Sequence, residues 1–461
     1  MIDRQEILEL SREWGLAAET IEKDYALGWF LAGIFNHAAL KPEWVFKGGT
    51  CLKKCYFETY RFSEDLDFTL KNAAHLKEDF LAATFAEVTA WVYEQSGIEV
   101  PADSIRLEAY TNPRGKASVQ GRIGYVGPMQ RRGSVPRIKL DLTDDERLVL
   151  APVQRDVHHP YSDKPAASIQ ALCYPYEELF AEKIRALSER MRPRDLYDVV
   201  HLYRHDETTC DRALVVNTLK EKCVFKGMPV PSAAALQNRP ERAELEAEWA
   251  NMLAHQLPQL PPLVQFFEEL PRVFSWLFEA VSKPVMAAMP VAADEDASWQ
   301  PPAMLTSWRF TAPLEIIRFA AANRLCVDLA YQGSRRVIEP YSLRRTRDGN
   351  IVLHAIRHAS GEHRSYRVDR IEGASATSTS FVPRYAIELT PSGPQVISPT
   401  ASPVRTWSRT TRKHGPIYVM ECTYCNKRFY RKTRDTHLNA HKDKNGYSCS
   451  GRTGYHVDTQ Y

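Results

Sequence analysis

The sequence predicts a multidomain α+β protein. Its 461 residues are enough for about three domains. Helix-type and strand-type hydrophobic patterns mix over residues 1–283 and again over residues 304–389. The tail at residues 416–445 is instead rich in cysteine and histidine. We therefore expect two larger mixed domains followed by a small third module.

Composition narrows the class of protein. Hydrophobic residues make up 44% of the chain and charged residues 25%, which is typical of globular proteins and excludes disorder throughout. The net charge of +3 excludes a uniformly basic surface but not a local basic patch. Nine scattered cysteines argue against a secreted disulfide scaffold. The polar start of the chain is no signal peptide and residues 26–40 are too short to span a membrane, so we expect a cytoplasmic protein.

Two segments rich in proline and small residues predict linkers, KPVMAAMPVAADEDASWQPP and TPSGPQVISPTASPVRT. The expected boundaries are a first domain at 1–283 with a mixed core at 15–145 and a helical half at 174–283, a linker at 284–303, a second domain at 304–389, a linker at 390–415, and the tail module at 416–445.

The hydrophobic pattern predicts helices and strands in alternation through the first domain. Within it, the polar and apolar residues of RFSEDLDFTL alternate as they do in a half-buried strand. The expected elements are, in order, a helix at 21–35, a strand at 44–47, a glycine turn, a helix from about 51, the RFSEDLDFTL strand, a helix at 76–96, strands at 120–126 and 137–142, and mainly helices from 174.

The clearest chemical signal lies in FKGGTCLKKCYFETYRFSEDLDFTL. In an extended strand, Asp65 and Asp67 point to one side while Leu66 and Phe68 point to the other. Two carboxylates on one face repel each other unless a cation lies between them, and their oxygens suit Mg²⁺ or Mn²⁺. The pair therefore predicts a metal site, with an exposed acidic strand as the alternative.

The turn Gly48-Gly49-Thr50 before this strand opens a helix. Backbone amides at a helix start bind phosphate well, and the helix dipole favours a negative charge there. A phosphate cradle followed by paired acids is what metal-dependent phosphoryl transfer needs. The alternative is a simple glycine turn.

Three further residues extend this set. Asp141, in another predicted strand, would bind metal and activate an attacking hydroxyl, or would only face water. Lys183 falls on the apolar arc of a helix, where it would meet a triphosphate or extend its amine to solvent. Asp195 leans toward the apolar face of the next helix, or is only a first-turn acid. Asp198 lies farther round and ranks below Asp195.

On these residues the first domain resembles the nucleotidyltransferase toxins of the AbiEii/AbiGii type, a branch of the polymerase-β-like nucleotidyltransferase superfamily. The resemblance covers about residues 15 to 280, through EKDY (22–25), FKGGT (46–50), RFSEDLDF (61–68), IKLDL (138–142), the Glu182-Lys183 pair and RDLYD (194–198). It implies a mixed-sheet nucleotidyltransferase core with a helical C-terminal half, and an NTP-dependent enzyme of the EC 2.7.7 kind.

The resemblance also implies roles for residues and partners. Some members look like enzymes that add nucleotides to the 3′ end of tRNA, and they are usually neutralised by an antitoxin protein. RNA and an antitoxin are therefore the expected partners. Ser63, at the family's motif serine, would contact phosphate or be a modification target. The residues expected to bind nucleotide are Gly48, Gly49, Thr50, Ser63 and Lys183, those expected to hold Mg²⁺ are Asp65, Asp67 and Asp141, and Lys183 and Asp195 complete the catalytic set.

Residues 311–389 resemble a WYL domain, which implies a small SH3-like or Sm-like β-barrel. The matching stretches are VDLAY (327–331), RVIEPY (336–341) and YRVDRI (366–371), whereas IVL (351–353) stands where Trp-Tyr-Leu would be. Such domains look like binders of nucleic acid or nucleotide-like effectors. The candidate contacts are Arg336, Arg367, Arg370, Tyr331 and Tyr341, with packing tyrosines and surface arginines as the alternative.

The tail predicts a zinc site. Cys422, Cys425, His437 and His441 form C-x2-C-x11-H-x3-H, and two thiolates with two imidazoles suit tetrahedral Zn²⁺. The central spacing is one residue shorter than in the usual C2H2 finger, and Cys449 is a less favoured substitute ligand. A module this small would need the metal to fold.

The tail is also strongly basic, with eleven Lys and Arg against three acidic residues between 405 and 444. Arg428, Arg431, Lys432 and Arg434 predict contacts to phosphates rather than to base edges. A zinc-stabilised module that docks a protein is the alternative.

Together these patterns favour a metal-dependent nucleotidyltransferase, a toxin or anti-phage defence effector that transfers nucleotides from an NTP to RNA such as the tRNA 3′ end. Transfer to a protein or a small molecule is one alternative. A non-catalytic regulator that binds nucleic acid through the WYL-like domain and the tail is another, which the intact acidic set disfavours.

Overall fold

The computed structural model describes residues 1–460 except 113, 132, 134, 166–167, 206–209, 280, 284–285, 291, 293, 297–298, 300–312, 390–416, 432 and 444–446. The chain divides into two compact units, Met1–Gln395 and Val396–Tyr461. The expected linker at 390–415 and much of the linker at 284–303 lie outside the described residues.

The first unit contains the helices. They are α1 Arg4–Trp14, α2 Ala18–Asn36, α3 Gly48–Cys51, α4 Glu78–Ser96, α5 Tyr176–Arg190, α6 Pro193–Arg204, α7 Arg212–Lys226, α8 Ala233–Gln237, α9 Arg242–Leu253, α10 Leu263–Phe267, α11 Leu270–Phe278 and α12 Leu314–Ala322. None of the helices that the structure describes is both long and apolar enough to cross a membrane.

The strands divide between the units. Those of the first unit are β1 Trp44–Lys47, β2 Asp65–Leu70, β3 Ile105–Thr111, β4 Ala117–Gly124, β5 Arg137–Thr143, β6 Val153–Asp156, β7 Gln170–Cys173, β8 Leu325–Tyr331, β9 Ser334–Arg345, β10 Ile351–Arg357, β11 His363–Arg367 and β12 Ile371–Ser380. Those of the second are β13 Ile417–Cys422, β14 Arg428–Arg431, β15 His441–Lys442, β16 Ser448–Cys449 and β17 Gly454–Gln460.

Strands β1 to β7 form one mixed sheet in the order β3-β4-β5-β2-β1-β7-β6. Its central strand β2 pairs in parallel with β5 and antiparallel with β1. Leu66 and Phe68 of β2 face the core, where the Phe68 ring lies 5.2 Å from that of Phe46 and 6.1 Å from that of Phe35 on α2. Because side chains alternate along a strand, this packing turns the acidic residues of β2 to the opposite face.

A second sheet, in the order β11-β10-β9-β8-β12, belongs to the WYL-like region. Its edge strands β11 and β12 do not pair with each other among the described residues, so the SH3-like or Sm-like barrel expected from the sequence is not found there. Tyr341 is fully buried and packs against Phe381 and Tyr385, which corresponds to the packing role rather than to a ligand contact.

The nucleotidyltransferase-like and WYL-like regions share one hydrophobic core. Arg318 of α12 lies 3.2 Å from Glu58, and Arg324 lies 2.9 Å from Glu269 of the helical half. Both regions therefore lie within the compact unit Met1–Gln395.

The second unit is built from strands. β13 lies between β14 and β17, and β15 pairs with β16. The sheet includes residues up to Gln460, well past residue 445, where the sequence pattern ended the module. Within the described residues of this unit no helix is found, so the helix of a C2H2 finger is not found there either.

Candidate active site and metal centre

Strand register gathers the three predicted metal ligands on one face of the sheet. Asp67 stands opposite Lys47 of β1 and opposite Asp141 of β5. Asp65 lies two residues earlier on the same face of β2. Since adjacent strands lie about 5 Å apart, the carboxylates of Asp67 and Asp141 are neighbours.

The carboxylates perturb one another. Burial raises the pKa of Asp67 to about 6, assisted by the charges of Asp65 and Asp141 and opposed by Lys47 and Lys183. Burial also raises the pKa of Asp141, again with Asp65 adding to the rise and Lys47 opposing it. Such a cluster has more negative charge than its cations neutralise, which is the environment that a divalent cation would relieve.

Lys47 belongs to this face, although it is not among the site residues predicted from the sequence. Burial lowers its pKa, but Glu146, Glu182, Asp67 and Asp141 outweigh burial and leave it above its ordinary value. Its amine lies 3.9 Å from a carboxylate oxygen of Glu146. Because side chains alternate along a strand, Lys47 points to the face opposite Phe46, and this alternation could have indicated its position from the sequence.

The glycine turn lies directly against the acidic strand. Gly48 has φ of +80°, and a Cβ at this position would lie 2.1 Å from Oδ2 of Asp67. A Cβ on Gly49 would lie 2.9 Å from Oγ of Ser63. The positive φ and the close carboxylate therefore require glycine at Gly48, and the turn brings backbone, Ser63 and Asp67 together.

Thr50, another residue of the predicted phosphate cradle, is completely buried. Its hydroxyl donates to the carbonyl oxygen of Asp65. This hydrogen bond ties α3 to β2.

Lys183 and Asp195 come together in a buried network with Asp198. The Lys183 amine lies 2.8 Å from Oδ2 of Asp198 and 3.8 Å from Oδ1 of Asp195. Asp198, which the helical pattern ranked below Asp195, is thus the closer partner of Lys183. Asp195 accepts two hydrogen bonds from Arg190, at 2.7 and 2.9 Å.

Arg61 anchors this network and was also missed by the sequence analysis. Its Nε and Nη2 each donate to Asp198 at 2.7 Å, and the Tyr60 hydroxyl donates to the same carboxylate. Burial raises the pKa of Asp198, but Arg61 and Lys183 outweigh it and hold the pKa well below its ordinary value. The sequence around Arg61 did not indicate its ion pair with Asp198, because Asp198 lies on α6, far along the chain.

Arg194 links α6 to the carboxylates. Its Nη1 lies 3.8 Å from Oδ2 of Asp65, and both side chains are about one-third exposed, at 31%. Arg190 is 57% exposed although it pairs with Asp195. These two arginines place positive charge at the open side of the acidic face, where an anionic substrate would arrive.

A second cluster gathers cysteine and histidine in the second unit. The ligand atoms of Cys422, Cys425, His441 and Cys449 all lie within 4.8 Å of one another. The structure thus places Cys449, and not His437, in the set. His437 lies exposed in an extended stretch that bridges to Thr453, and its neighbour Leu438 takes the buried position.

The candidate nucleic-acid contacts have different surroundings. The Arg336 guanidinium lies 5.6 Å from the ring of Tyr331 and 5.9 Å from that of Tyr366. Arg367 is instead paired with Asp369 at 2.7 Å. The Arg336 guanidinium therefore lies over aromatic rings, whereas Arg367 meets Tyr331 through its backbone N–H, which donates to the Tyr331 hydroxyl at 3.3 Å.

In the second unit, the arginines predicted to contact phosphates also differ from one another in their surroundings. Arg428 is paired with Glu421 at 2.9 Å, and Arg431 lies 3.5 Å from Asp435. The guanidinium of Arg434 lies 5.7 Å from the ring of Tyr418. Lys432 lies outside the described residues.

Acidic residues on one face of a mixed sheet, beside a glycine turn and buried cations, define a protein with a nucleotidyltransferase-like core. Residues 29–281 match the family described as nucleotidyl transferase AbiEii toxin of type IV toxin–antitoxin systems, and the chain belongs to this family. Residues 313–376 match the WYL domain. Both matches confirm the resemblances that the motifs indicated.

Two solved structures are similar to this chain. The first is MenT4, a nucleotidyltransferase toxin from Mycobacterium tuberculosis H37Rv, with 18% identity and a TM-score of 0.41 over 59% of this chain and 89% of that chain. The second is proteasome accessory factor B/C (PafBC) of Arthrobacter aurescens, with 13% identity and a TM-score of 0.14 over 81% of this chain and 74% of that chain. No curated protein matches the chain.

Proposed function

We propose that this protein transfers a nucleoside monophosphate from an NTP to a hydroxyl group of RNA, with Mg²⁺ or Mn²⁺ as cofactor. The observation that carries the proposal is the register of Asp67 with Asp141, together with the Gly48 backbone that lies against Asp67. A triphosphate on the glycine turn would lie beside the acidic face. Membership of a nucleotidyl transferase family supports the reaction class.

The residues present fit a divalent cation. Asp65, Asp67 and Asp141 supply only oxygen donors from one face, and the charges of Asp65 and Asp141 add to the effect of burial in raising the pKa of Asp67. These three carboxylates would hold the metal. When bound, the ion would neutralise charge that develops on the triphosphate during transfer.

The protein's own residues would carry the remaining chemistry. Asp141 would accept the proton of the attacking hydroxyl. As the new bond to the α-phosphorus forms, the bond to the β-phosphate oxygen breaks, and pyrophosphate leaves. The amides of Gly48 and Gly49, with Ser63, would orient the phosphates, and Lys47 and Lys183 would supply positive charge. Asp195 would act through Arg190, which it holds in place.

RNA is the acceptor that we propose, with the tRNA 3′ end as the specific case and an antitoxin protein as the partner. The second unit supports an RNA with unpaired bases, because Tyr424, Tyr430 and Tyr447 are 74%, 63% and 74% exposed in a basic module. Exposed aromatic rings stack on unpaired bases, and arginines nearby contact phosphates. Arg336, over two tyrosine rings, offers a similar combination in the first unit.

Zinc is the metal that we propose for the second unit, held by Cys422, Cys425, His441 and Cys449. The Sγ atoms of Cys422 and Cys449 lie 3.9 Å apart, and Sγ of Cys425 lies 3.3 Å from Nε2 of His441. Three thiolates and one imidazole are a common structural zinc set. Leu438 and Phe429 complete a core too small to fold without it.

The decisive experiment incubates the protein with each radiolabelled NTP and with total RNA, total protein or small-molecule extract. We expect label in RNA, and we expect it to disappear in Asp67→Asn and with EDTA. Asp79→Asn, an exposed acid at the start of α4, is the matched control and should label RNA normally. Label only in protein or small molecules would favour those acceptors. No label in any fraction would favour the alternative of a non-catalytic regulator that binds nucleic acid.

A further inference from the structure

A pocket of about 240 Å³ lies apart from the acidic face, where α1, α2, the loop before β2 and α12 meet. Asp65, Asp67 and Asp141 are not among the residues that line it. Its acidic members are Glu13, Asp24, Glu58 and Glu315, and its aromatic members are Trp14, Tyr60, Phe62 and Phe319.

Two buried carboxylate oxygens of this pocket have no hydrogen-bond partner among the described residues, namely Oδ1 of Asp24 and Oε2 of Glu315. The other oxygens of both groups are used. Oδ2 of Asp24 accepts from Lys54 at 2.6 Å and from Tyr161 at 2.8 Å, and Oε1 of Glu315 accepts from Thr59 at 3.1 Å. Since a buried acceptor is costly without a donor, each carboxylate leaves one oxygen ready for a ligand.

Positive charge at the pocket is already engaged. The Lys53 amine donates to the carbonyl of Glu58 and lies 4.6 Å from the Phe62 ring centre. Burial, together with Lys53 and Lys54, lowers the pKa of His158 well below its ordinary value, so that this ring is neutral. Burial raises the pKa of Glu13, and no cation offsets this rise. Among the described residues that line the pocket, carboxylates and aromatic rings therefore outnumber the one ammonium group, Lys53.

We propose that this pocket binds a small primary amine with an apolar body. Its ammonium would donate to Asp24 and Glu315, and its apolar part would lie against Trp14 and Phe319, as organic cations do in aromatic sites. A cavity of about 150 Å³ can hold one benzene ring, so this pocket of about 240 Å³ has room for a small aromatic amine. The site does not depend on the proposed transfer reaction, although it borders Tyr60, which donates to Asp198.

Calorimetric titration of the full chain with 2-phenylethylamine tests this proposal, and 2-phenylethanol serves as the uncharged analogue of the same shape. We expect the amine to bind at least about tenfold more tightly than the alcohol. Glu315→Gln should weaken amine binding about tenfold or more, because it removes the charge and keeps the size. Glu268→Gln, an exposed acid at the end of α10, should leave the affinity unchanged.

Glu13→Gln is the second variant. It removes the carboxylate that α1 contributes to the pocket and leaves the Thr59–Glu315 hydrogen bond intact. Thermal unfolding of each variant confirms that it folds. The proposal is overturned if the amine shows no binding up to about 10 mM, if the alcohol binds equally well, or if a folded Glu315→Gln variant binds the amine as the wild type does. If Glu315→Gln does not fold, wild-type binding by Glu13→Gln overturns the proposal instead.

Discussion

Asp67 shows how the gathering of carboxylates changes a single residue. Burial and the charges of Asp65 and Asp141 raise its pKa to about 6. The folded state therefore binds a proton on Asp67 more tightly than the unfolded state does, and the ionised carboxylate destabilises the fold. The gathered carboxylates therefore lower the stability of the metal-free protein, as is common at functional sites.

Asp67→Asn should abolish transfer and stabilise the metal-free protein. The pKa of Asp67 rises from its ordinary value of 3.8 to about 6, so the stability gained from protonation is present below pH 4 and is lost as the pH rises to 6. In EDTA, the variant should unfold at the same temperature as the wild type at pH 4. Above pH 6 it should be about 1–2 kcal/mol more stable, after allowance for partial exposure. Asp79→Asn is the control. A lower melting temperature for Asp67→Asn than for the wild type at pH 7 would contradict the conclusion that the ionised Asp67 destabilises the fold.

Lys183→Met tests the buried network. Because Asp198 keeps both hydrogen bonds from Arg61, the loss of the lysine should cost about 1–3 kcal/mol rather than unfold the protein. NTP affinity should fall as well. Lys23→Met, which breaks a more exposed ion pair with Glu64 at 2.9 Å, should cost under about 1 kcal/mol and leave NTP binding intact.

Urea unfolding and NTP titration measure these two effects separately. If Lys183→Met loses stability but binds NTP normally, the lysine holds the helices together and does not meet the triphosphate.

At the scale of elements, the glycine turn where β1 meets α3 sets how closely the backbone approaches the Asp67 carboxylate. Gly48 has φ of +80° and lies against Asp67, whereas Gly227 has φ of +66° with open space around it. Gly227→Ala should cost about 1–2 kcal/mol for the left-handed backbone alone. Gly48→Ala carries the same strain and also a clash with the carboxylate, so it should cost more and should abolish transfer. Equal melting temperatures for the two variants would show that the turn can move away from Asp67.

At the scale of the whole molecule, the two units have separate cores. Cys449→Ser should therefore release about one equivalent of zinc and unfold the second unit, while the main unfolding transition stays in place. His437→Ala should keep its zinc. Metal analysis together with calorimetry measures both, and zinc loss in His437→Ala would restore the two-histidine set.

Arg431→Ala with Arg434→Ala should weaken RNA binding alike for all sequences and reduce its salt dependence by about one unit per lost phosphate contact. Arg428→Ala is the control, because Glu421 already neutralises Arg428 at 2.9 Å, and its effect should be smaller. Binding curves at several salt concentrations supply the slopes. A loss confined to certain sequences would mean that the arginines read bases.

Local patterns predicted a large part of the acidic face. The alternation around Asp65 and Asp67 and the strand at 44–47 depend on neighbours within a few residues, and β1 and β2 carry them as expected. The strands β3, β6 and β7 were missed. β3 is mostly exposed and so lacks a clear apolar stripe, and β6 and β7 are only four residues long.

The sequence by itself determined which side chains share a strand face and where glycine is needed, because both depend on local backbone geometry. It also determined which cysteines lie near each other in the chain. Only the tertiary structure decided that Asp67 lies beside Asp141, that Asp198 pairs with Arg61 and that Cys449 replaces His437. These contacts join residues far apart in the chain. They form because the strands pair in one register and because distant segments bury these side chains. A local sequence pattern specifies neither.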